Sequence, residues 1–367
     1  MSLGAVRAAI GYGPLLQMAR SLFEPAELRR FLATDLGHGA AGDCGAITET
    51  EAIILDWLAE SGKRFRPFIT LASYSAMRRH QGQAPGPAAA EAIPHAVKCV
   101  AVAMEILHKA SLVHDDAEDE DDYRYGRPTI HARYGVPTAI NSGDHLVGLG
   151  YWLVAAQQAA LGSDCTCDIL ARLSDAHLKL CRGQGAELLL TRERRRARPA
   201  DVLAIYALKT APAFAVAMCA GMRMAGPIGY DGERVTDFCR HLGVGYQILD
   251  DLDDLRLEAA QEQPLGQDFL RHRPTILRAM ASEAGADGQL DLLLRDALNV
   301  STSELIGQLR QVYEQSGAID QAQRLVGQCQ RRALKTAGEV ESAVLRDLMI
   351  FLLGAVLGPD KIYSGNA

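Results

Sequence analysis

The amino-acid sequence predicts an all-α protein, and three observations favour this fold class. Apolar residues recur at positions i, i+3, i+4 and i+7 over long stretches, which is the spacing of an amphipathic helix. No stretch alternates apolar and polar residues as a half-buried strand would. Hydrophobic residues make up 48% and charged residues 23% of the 367 residues, which is typical of a globular protein with a sizeable core.

The predicted helices are long, and turn-forming residues separate them. The clearest apolar periods cover residues 89–114, 138–161, 167–190, 201–225 and 231–255. Several of these exceed the usual length of a globular helix and are apolar along one whole side, as the core helices of a large bundle are. Gly- and Pro-rich segments lie between them, at residues 82–87, 126–128, 162–164, 196–199 and 226–231.

The bulk composition excludes several functional classes. A formal net charge of −7 gives no basic surface for nucleic acid. We find no apolar run of the roughly 18 residues that a membrane span requires, and no signal-peptide pattern at the N-terminus. The 8 cysteines are scattered without zinc-site spacing, which favours reduced thiols and a cytoplasmic location.

Two copies of one acidic pattern, D-D-x-x-D, end two of the apolar stretches: Asp115-Asp116-Ala117-Glu118-Asp119 and Asp250-Asp251-Leu252-Asp253-Asp254. On a helix, the first and last Asp of each motif lie roughly 40° apart around the axis, on one face. Like charges at this spacing repel, which favours a neutralising ion. Mg²⁺ suits these ligands because it bridges carboxylates to substrate phosphates. The sequence therefore predicts a diphosphate held by two metal-bearing helices.

Basic and polar residues suited to phosphate accompany the acidic motifs. Lys63 and Arg66, three residues apart at a helix start, can present a point charge and a planar fork together. Each such residue alone is more often a solvated or hydrogen-bonded structural residue than a ligand. The full set of candidates is Lys63, Arg66, His108, Arg124, Gln184, Lys209, Thr210, Gln247 and Arg273.

Taken together and in order, these motifs resemble the trans-isoprenyl diphosphate synthase, or polyprenyl synthetase, family. They are G-K-R-F-R-P at 62–67, E-I-L-H-K-A-S-L-V-H-D-D at 105–116, R-Y-G-R-P-T at 124–129, G-Q at 183–184, K-T at 209–210, Y-Q-I-L-D-D at 246–251 and G-Q-D at 266–268. The resemblance implies an isoprenoid synthase-type helical bundle with a central cavity, the two acidic motifs facing each other at its mouth, and a homodimer. We expect one all-α domain over 1–367, with N-terminal helices and a flexible loop in 1–46, a catalytic core in 47–283 and C-terminal helices in 284–367.

The activity that the resemblance implies is the Mg²⁺-dependent condensation of isopentenyl diphosphate with an allylic diphosphate, usually with three ions per active site. The implied metal ligands are Asp115, Asp116, Asp119, Asp250, Asp251 and Asp254. Contacts to the allylic diphosphate are implied for Arg124, Lys209 and Arg273, with Gln184 also in the substrate site. Thr210 and Gln247 match positions near the reacting carbons, and Lys63, Arg66 and His108 match the isopentenyl diphosphate site.

The chain departs from the family pattern at Tyr125, where the family has a second Arg that contacts isopentenyl diphosphate. The loss of one charge-assisted hydrogen bond is worth about 1.5–3 kcal/mol, or ten- to hundredfold in affinity. Compensation by Arg127 or Arg64 is left open. If elongation is the native reaction, we expect Tyr125→Arg to lower the KM for isopentenyl diphosphate.

Product length depends on the residues just before the first acidic motif, where the family places a bulky aromatic to stop short products. Here those positions are the small Ala110 and Ser111, so a chain beyond fifteen carbons is expected. We predict a C20 product, with Leu107 or Met104 as the cavity floor and C25 or longer left open. An aromatic from another helix would overrule this prediction; the candidates are Tyr151, Trp152 and Phe214.

Two other functions fit part of the sequence. A terpene-cyclase-like lyase would ionise an allylic diphosphate without elongation, which Tyr125 permits and the pair Lys63 and Arg66, with His108, argues against. A non-catalytic partner subunit of a heteromeric synthase would be expected to have degraded acidic motifs, whereas both are intact here.

Overall fold

The structure, a computed structural model, describes residues 12–29, 45–60, 62–82, 93–255 and 267–358. The described residues are overwhelmingly helical, so the predicted all-α class is confirmed. Their only strands form a two-residue antiparallel hairpin of β1 (Tyr123–Arg124) and β2 (Arg127–Pro128), with Arg124 opposite Arg127.

The helices with defined bounds are numbered in chain order. They are α1 (Tyr12–Ser21), α2 (Gly45–Ala59), α3 (Phe65–His80), α4 (His95–Glu118), α5 (Ile130–Tyr134), α6 (Val136–Ala155), α7 (Gln158–Leu161), α8 (Ser163–Arg192), α9 (Pro199–Lys209), α10 (Ala211–Ala225), α11 (Asp231–Asp253), α12 (Gln267–Leu270), α13 (Ile276–Glu283), α14 (Asp287–Asp296), α15 (Thr302–Gln315), α16 (Ala318–Gly338) and α17 (Ala343–Leu357), with a 3₁₀ turn at Ala297–Asn299.

Within the described residues, all five predicted periods are largely helical, with two breaks; residues 89–92 of the first period lie outside the described residues. The period 138–161 is divided into α6 and α7 at residues 156–157. The period 201–225 is divided into α9 and α10 at Thr210. Pro212 explains this second break, because its ring would collide with the carbonyl of the residue four positions earlier in a continuous helix. The predicted flexible loop covers residues 35–46; of these, residues 35–44 lie outside the described residues, and Gly45 already begins α2.

The chain divides into two compact units. Unit 1 comprises residues 1–175, 213–232 and 341–348, and unit 2 comprises 176–212, 233–340 and 349–367. The first acidic motif belongs to unit 1 and the second to unit 2. The prediction of a single domain is not tested by this division and stays a prediction.

In unit 1, glycines allow α4 and α6 to pack closely. A Cβ at Gly143 would lie 2.2 Å from Nε2 of His114, and one at Gly150 would lie 2.5 Å from Cγ of Leu107. The two glycines and their two partners are each seven residues apart and run in opposite order, so the helices are antiparallel. This packing fixes the end of α4 that carries the first acidic motif.

In unit 2, α13 packs against α9, α15 and α16. A Cβ at Gly245 of α11 would lie 2.7 Å from a methyl carbon of Leu357, so the end of α17 closes on α11. The contact between Gly245 and Leu357 places the C-terminal end of α17 against the helix that carries the second acidic motif.

One described stretch, Pro199–Ala225, is long and apolar enough by composition to cross a membrane. The sequence-based statement that no apolar run reaches this length was therefore wrong. The stretch consists of α9 and α10, and 56% of its most apolar window is buried inside the protein, as in the core helix of a bundle.

Candidate active site

The first acidic motif occupies the C-terminal end of α4. Asp119 caps the helix and donates its N–H to the carbonyl of Asp115 at 2.8 Å, so both residues lie in the last turn, as the spacing predicted. A helix C-terminus carries partial negative charge, and no basic residue stands in this last turn. Carboxylates and helix dipole therefore repel one another, which favours a bound cation.

Asp116 is the buried member of this motif, at 1% exposure. Its Oδ1 accepts a hydrogen bond from Nε of Arg124, whose Nη2 is also 3.6 Å from Oδ2 of Asp121. Oδ2 of Asp116 is buried without a hydrogen-bond partner. Burial raises the pKa of Asp116 to about 6, against the opposing effect of Arg124. A buried carboxylate oxygen without a donor fits a metal ion as its partner.

Among the described residues, no three His, Cys, Asp or Glu side chains already converge as a metal site. Asp115 and Asp119 are half-buried near Asp116 along the chain, without forming a closed ligand set. Mg²⁺ keeps several waters and takes part of its coordination from substrate phosphates, so its sites need few protein ligands. The donors present fit an ion that binds together with a diphosphate.

Two of the three residues predicted for the isopentenyl diphosphate site, Arg66 and His108, lie near each other in unit 1. The guanidinium of Arg66, in the first turn of α3, lies 5.5 Å from the ring centre of Phe214. Burial lowers the pKa of His108 well below its usual value, and the nearby cations Arg66 and Lys109 lower it further. His108 is therefore neutral at pH 7 and Arg66 lies within its electrostatic reach. Lys63, the third residue, is exposed just before α3.

The depressed pKa of His108 gives a pH-dependent stability that a variant can isolate. The unfolded chain takes up a proton at His108 below about pH 6.5, and the folded chain does not, so stability is lost as pH falls through this window. The free energy of unfolding should fall between pH 7 and pH 5.5, and we expect this fall to be about 1 kcal/mol smaller in His108→Gln than in wild type. Urea unfolding at both pH values measures it, with the exposed His145→Gln as control; equal losses in wild type and His108→Gln would contradict it.

Two residues of unit 1 were missed from the sequence, Trp57 and Lys109, and the structure also decides the role of Arg64, which was left open as compensation for the missing Arg at position 125. Arg64 is buried, has a left-handed backbone (φ 47°), and donates to the carbonyl of Leu58 at 2.7 Å and to Glu105 at 3.1 Å. It is therefore a structural anchor rather than a replacement for the missing Arg. Lys109 is completely buried, and the signal for it was a lysine within the apolar run of α4.

In unit 2, glycines on two neighbouring helices allow close contact with the segment Lys209–Thr210. A Cβ at Gly183 would lie 2.9 Å from Cβ of Leu208 and 3.1 Å from the backbone nitrogen of Lys209. A Cβ at Gly243 would lie 2.7 Å from the backbone nitrogen of Ala211. Only glycine permits this approach, so α8 and α11 determine where the segment lies.

Side chains of this segment meet other predicted site residues. Nζ of Lys209 is 2.8 Å from Oε1 of Glu187, and Oγ1 of Thr210 donates to Oε1 of Gln247 at 3.0 Å. Gln184, one position after Gly183, is buried. The structure thus brings Thr210 and Gln247 into direct contact, and their role near the reacting carbons stays a prediction.

The second acidic motif ends α11, and its first two residues differ in environment. Asp250 is exposed, whereas Asp251 is 8% exposed. Oδ2 of Asp251 accepts hydrogen bonds from the hydroxyl of Tyr206 at 2.6 Å and from the N–H of Ile276 at 2.7 Å. Burial raises the pKa of Asp251 well above its usual value. Asp251 therefore anchors the start of α13, and Tyr206 is a site residue that the sequence did not reveal.

The remaining predicted residues of unit 2 lie close to this motif in sequence. Asp254 is half-buried, follows α11 and donates its N–H to the carbonyl of Asp250 at 3.0 Å. Nη1 of Arg273 forms an ion pair of 2.7 Å with Asp268. The roles of Asp254 and Arg273 in metal and diphosphate binding stay predictions.

The polyprenyl synthetase family model matches residues 48–316. This chain belongs to the polyprenyl synthetase family. It is 28% identical to a short chain isoprenyl diphosphate synthase of Methanothermobacter thermautotrophicus, over 82% of this chain and 87% of that one. It is 34% identical to a geranylgeranyl diphosphate synthase of Rhodobacter capsulatus, over 54% of this chain and 67% of that one.

A solved geranylgeranyl pyrophosphate synthase of Corynebacterium glutamicum has the same fold, with a TM-score of 0.78 at 20% identity, over 94% of this chain and 98% of that one. The predicted isoprenoid synthase fold is thereby confirmed. This polyprenyl synthetase is an enzyme, a trans-prenyltransferase that makes polyprenyl diphosphates from isopentenyl and allylic diphosphates. That finding argues against the lyase and the non-catalytic subunit.

Proposed function

We propose that this polyprenyl synthetase uses Mg²⁺ to condense isopentenyl diphosphate with an allylic diphosphate and releases a C20 diphosphate. The proposed metal dependence rests on the environment of Asp116. Its buried Oδ2 has no hydrogen-bond donor, and it lies at a helix end whose partial negative charge repels carboxylates. The structure of the Corynebacterium glutamicum relative was solved with isoprenyl diphosphate and magnesium, which supports the same ion here.

The proposed ligands of three Mg²⁺ ions are Asp115, Asp116, Asp119, Asp250, Asp251 and Asp254. When bound by these residues, Mg²⁺ would supply positive charge that neutralises the diphosphate, and this leaving group would depart with the electrons of the allylic C–O bond. Arg124, Lys209 and Arg273 add positive charge to the same leaving group. Each is paired with a carboxylate in the structure, and these pairs hold the basic groups in place before substrate binds.

The hydrogen-bonded pair of Thr210 and Gln247 would stabilise the allylic cation. Their oxygens lie 3.0 Å apart, so the two dipoles are fixed before the reaction and need no reorganisation during it. The double bond of isopentenyl diphosphate then attacks the cation, and a proton passes from the new chain to the released diphosphate. Lys63, Arg66 and neutral His108 bind the diphosphate of the attacking substrate.

Incubation with Mg²⁺ and dimethylallyl, geranyl or farnesyl diphosphate, each with and without isopentenyl diphosphate, tests this function. We expect elongated diphosphates only when isopentenyl diphosphate is present, and no turnover with EDTA. Hydrocarbon or alcohol formed from the allylic substrate alone would instead identify a lyase.

The product length follows from small residues near the first motif. Ala110 is completely buried, and Ser111 is half-buried with its hydroxyl donating to the carbonyl of His108 at 2.9 Å. Of the candidate floor residues, Leu107 packs against Gly150 and Met104 is buried.

We expect Ser111→Phe to shift the main product from C20 to C15, because the ring adds bulk one turn before Asp115. Chromatography of the dephosphorylated products measures the shift, with Ser111→Ala as the control that keeps the wild-type length. An unchanged product distribution in Ser111→Phe would contradict the assignment of this position.

We also propose that the enzyme is a cytoplasmic homodimer. α6 has an exposed apolar stripe that includes Val136 and Ile140. Ile140 and Tyr151 are eleven residues, or about three turns, apart and so share this face. A groove of about 570 Å³ continues it and is lined by Tyr151, Trp152, Ala155, Leu170, Ala171 and Ser174. All cysteines in the described part of the chain are free, as in a reducing compartment.

The dimer is tested by light scattering on wild type and on Ile140→Asp. We expect the mass of wild type to be twice that of the chain and the variant to dissociate, because an Asp buried in an apolar interface lacks a partner. Asn141→Asp, which adds the same charge next to the stripe, serves as the matched control. A monomeric wild type, or a dimer unaffected by Ile140→Asp, would contradict this surface.

A further inference from the structure

The buried ammonium of Lys109 lies between two aromatic rings. Nζ is 4.7 Å from the ring centre of Trp57 and 4.7 Å from that of Tyr125. Nε1 of Trp57 donates to the carbonyl of Lys109 at 3.1 Å, which fixes the indole against α4. Cation–π contacts are strongest when they are desolvated, as this fully buried one is. Lys109 and Trp57 thus form a dock for one face of the Tyr125 ring.

Tyr125 needs such a dock because its backbone is unfavourable. Tyr125 and Gly126 form the two-residue turn between β1 and β2, and both have positive φ, 54° and 74°. This kind of hairpin turn prefers Asn-Gly or Gly-Gly, and a bulky residue at positive φ is strained. Side-chain contacts must therefore compensate, and strain of this kind collects at functional sites. Tyr125 is 43% exposed, so part of the docked side chain faces solvent.

Four charged groups act on the ammonium of Lys109. Glu60 follows α2, Arg64 precedes α3, Glu105 lies on α4 and Arg124 on β1. Burial and Arg64 lower the pKa of Lys109 to about 8, while Glu105 and Glu60 act to raise it. The two carboxylates are themselves engaged, Glu105 with Arg64 at 3.1 Å and Glu60 with Arg127 at 3.0 Å. An additional anion nearby would stabilise the ammonium.

We propose that Lys109 is a positioning residue that sets the affinity for isopentenyl diphosphate. It holds the Tyr125 ring over its ammonium, which also contacts Trp57, so that the phenol is presented from a fixed position, and its buried charge adds to that of Arg66 and Lys63. Lys109 thereby supplies, from the face of the Tyr125 ring that it contacts, the positive charge that an Arg at position 125 would carry. The identity of the ligand rests on the proposed function; the dock itself rests on the geometry.

Titration calorimetry with isopentenyl diphosphate on the full chain tests the proposal, with inorganic diphosphate as a second probe. We expect Lys109→Met to weaken binding about tenfold or more, Lys109→Arg to retain most of it, and Lys98→Met on the same helix to leave it unchanged. Wild-type binding should weaken above about pH 8, where Lys109 loses its proton, and Lys109→Met should lack this dependence. In steady-state kinetics, the KM for isopentenyl diphosphate should rise while kcat stays within threefold.

A double-mutant cycle separates this role from simple loss of packing. Contrary to the expectation from the sequence alone, Tyr125→Arg by itself should not improve binding, because the new guanidinium would lie beside the Lys109 ammonium, which the sequence did not reveal. Combined with Lys109→Met, it should recover at least tenfold of the lost affinity. If Lys109→Met fails to fold, Tyr125→Leu tests the same dock from its exposed side and should weaken binding similarly.

The inference is overturned if folded Lys109→Met binds isopentenyl diphosphate as wild type does, if wild type does not bind it, or if the two substitutions act additively. A second outcome is that wild type binds isopentenyl diphosphate more tightly than Lys109→Met does but forms no elongated product. This outcome would contradict the proposed function and still support the dock. Elongation unaffected by Lys109→Met would contradict the dock alone.

Discussion

Asp115→Asn and Asp250→Asn are each expected to lower kcat by about a thousandfold or more. Each removes a carboxylate from a helix end where it would hold Mg²⁺, and the metal supplies several kcal/mol of charge stabilisation to the leaving diphosphate. Steady-state elongation assays with saturating Mg²⁺ measure the effect. The Tm of each variant is measured in parallel, so that a loss of kcat is separated from a loss of folding.

Glu118→Gln is the matched control for these variants. Glu118 lies in the same motif, in the last turn of α4, and is exposed. Its loss removes an equal charge without removing a proposed ligand, so kcat should stay within about threefold of wild type. Comparable losses in Glu118→Gln and Asp115→Asn would mean that the motif acts only through its summed charge.

Gly183→Ala and Gly185→Ala are expected to have opposite effects, although both lie on α8. A Cβ at Gly183 would be 2.9 Å from Leu208, forcing the Lys209–Thr210 segment to move, whereas one at Gly185 would meet no atom within 4 Å. We expect Gly183→Ala to lower the free energy of unfolding by about 1–2 kcal/mol through overpacking. We expect Gly185→Ala to raise it by about 0.5–1 kcal/mol through helix propensity.

The activity of the two glycine variants tests whether this close approach positions catalytic groups. A displacement of about 1 Å near the reacting atoms costs up to a hundredfold in rate, so kcat should fall at least tenfold in Gly183→Ala and remain unchanged in Gly185→Ala. A destabilised Gly183→Ala with normal kcat would show that the glycine serves packing alone.

Local patterns were sufficient to predict where the helices run and where the chemistry lies along them. The 3.6-residue period located α4, α6, α8 and α11, because an amphipathic face must point to the core whatever it packs against. The D-D-x-x-D spacing placed Asp115 and Asp119 in one helical turn for the same reason. The break at Thr210 was missed, although Pro212 was visible in the sequence, because the apolar period continues across it.

By itself, the sequence determined the all-α class, the family and the candidate residues, since these depend on spacing along one chain. Only the tertiary structure decided that Lys109 lies between Trp57 and Tyr125, that Tyr206 holds Asp251 and that Gly183 admits the Lys209 backbone. Each is a contact between residues far enough apart in sequence that no local period constrains it. Such contacts follow from how helices cross, and the shapes of many side chains together determine that geometry.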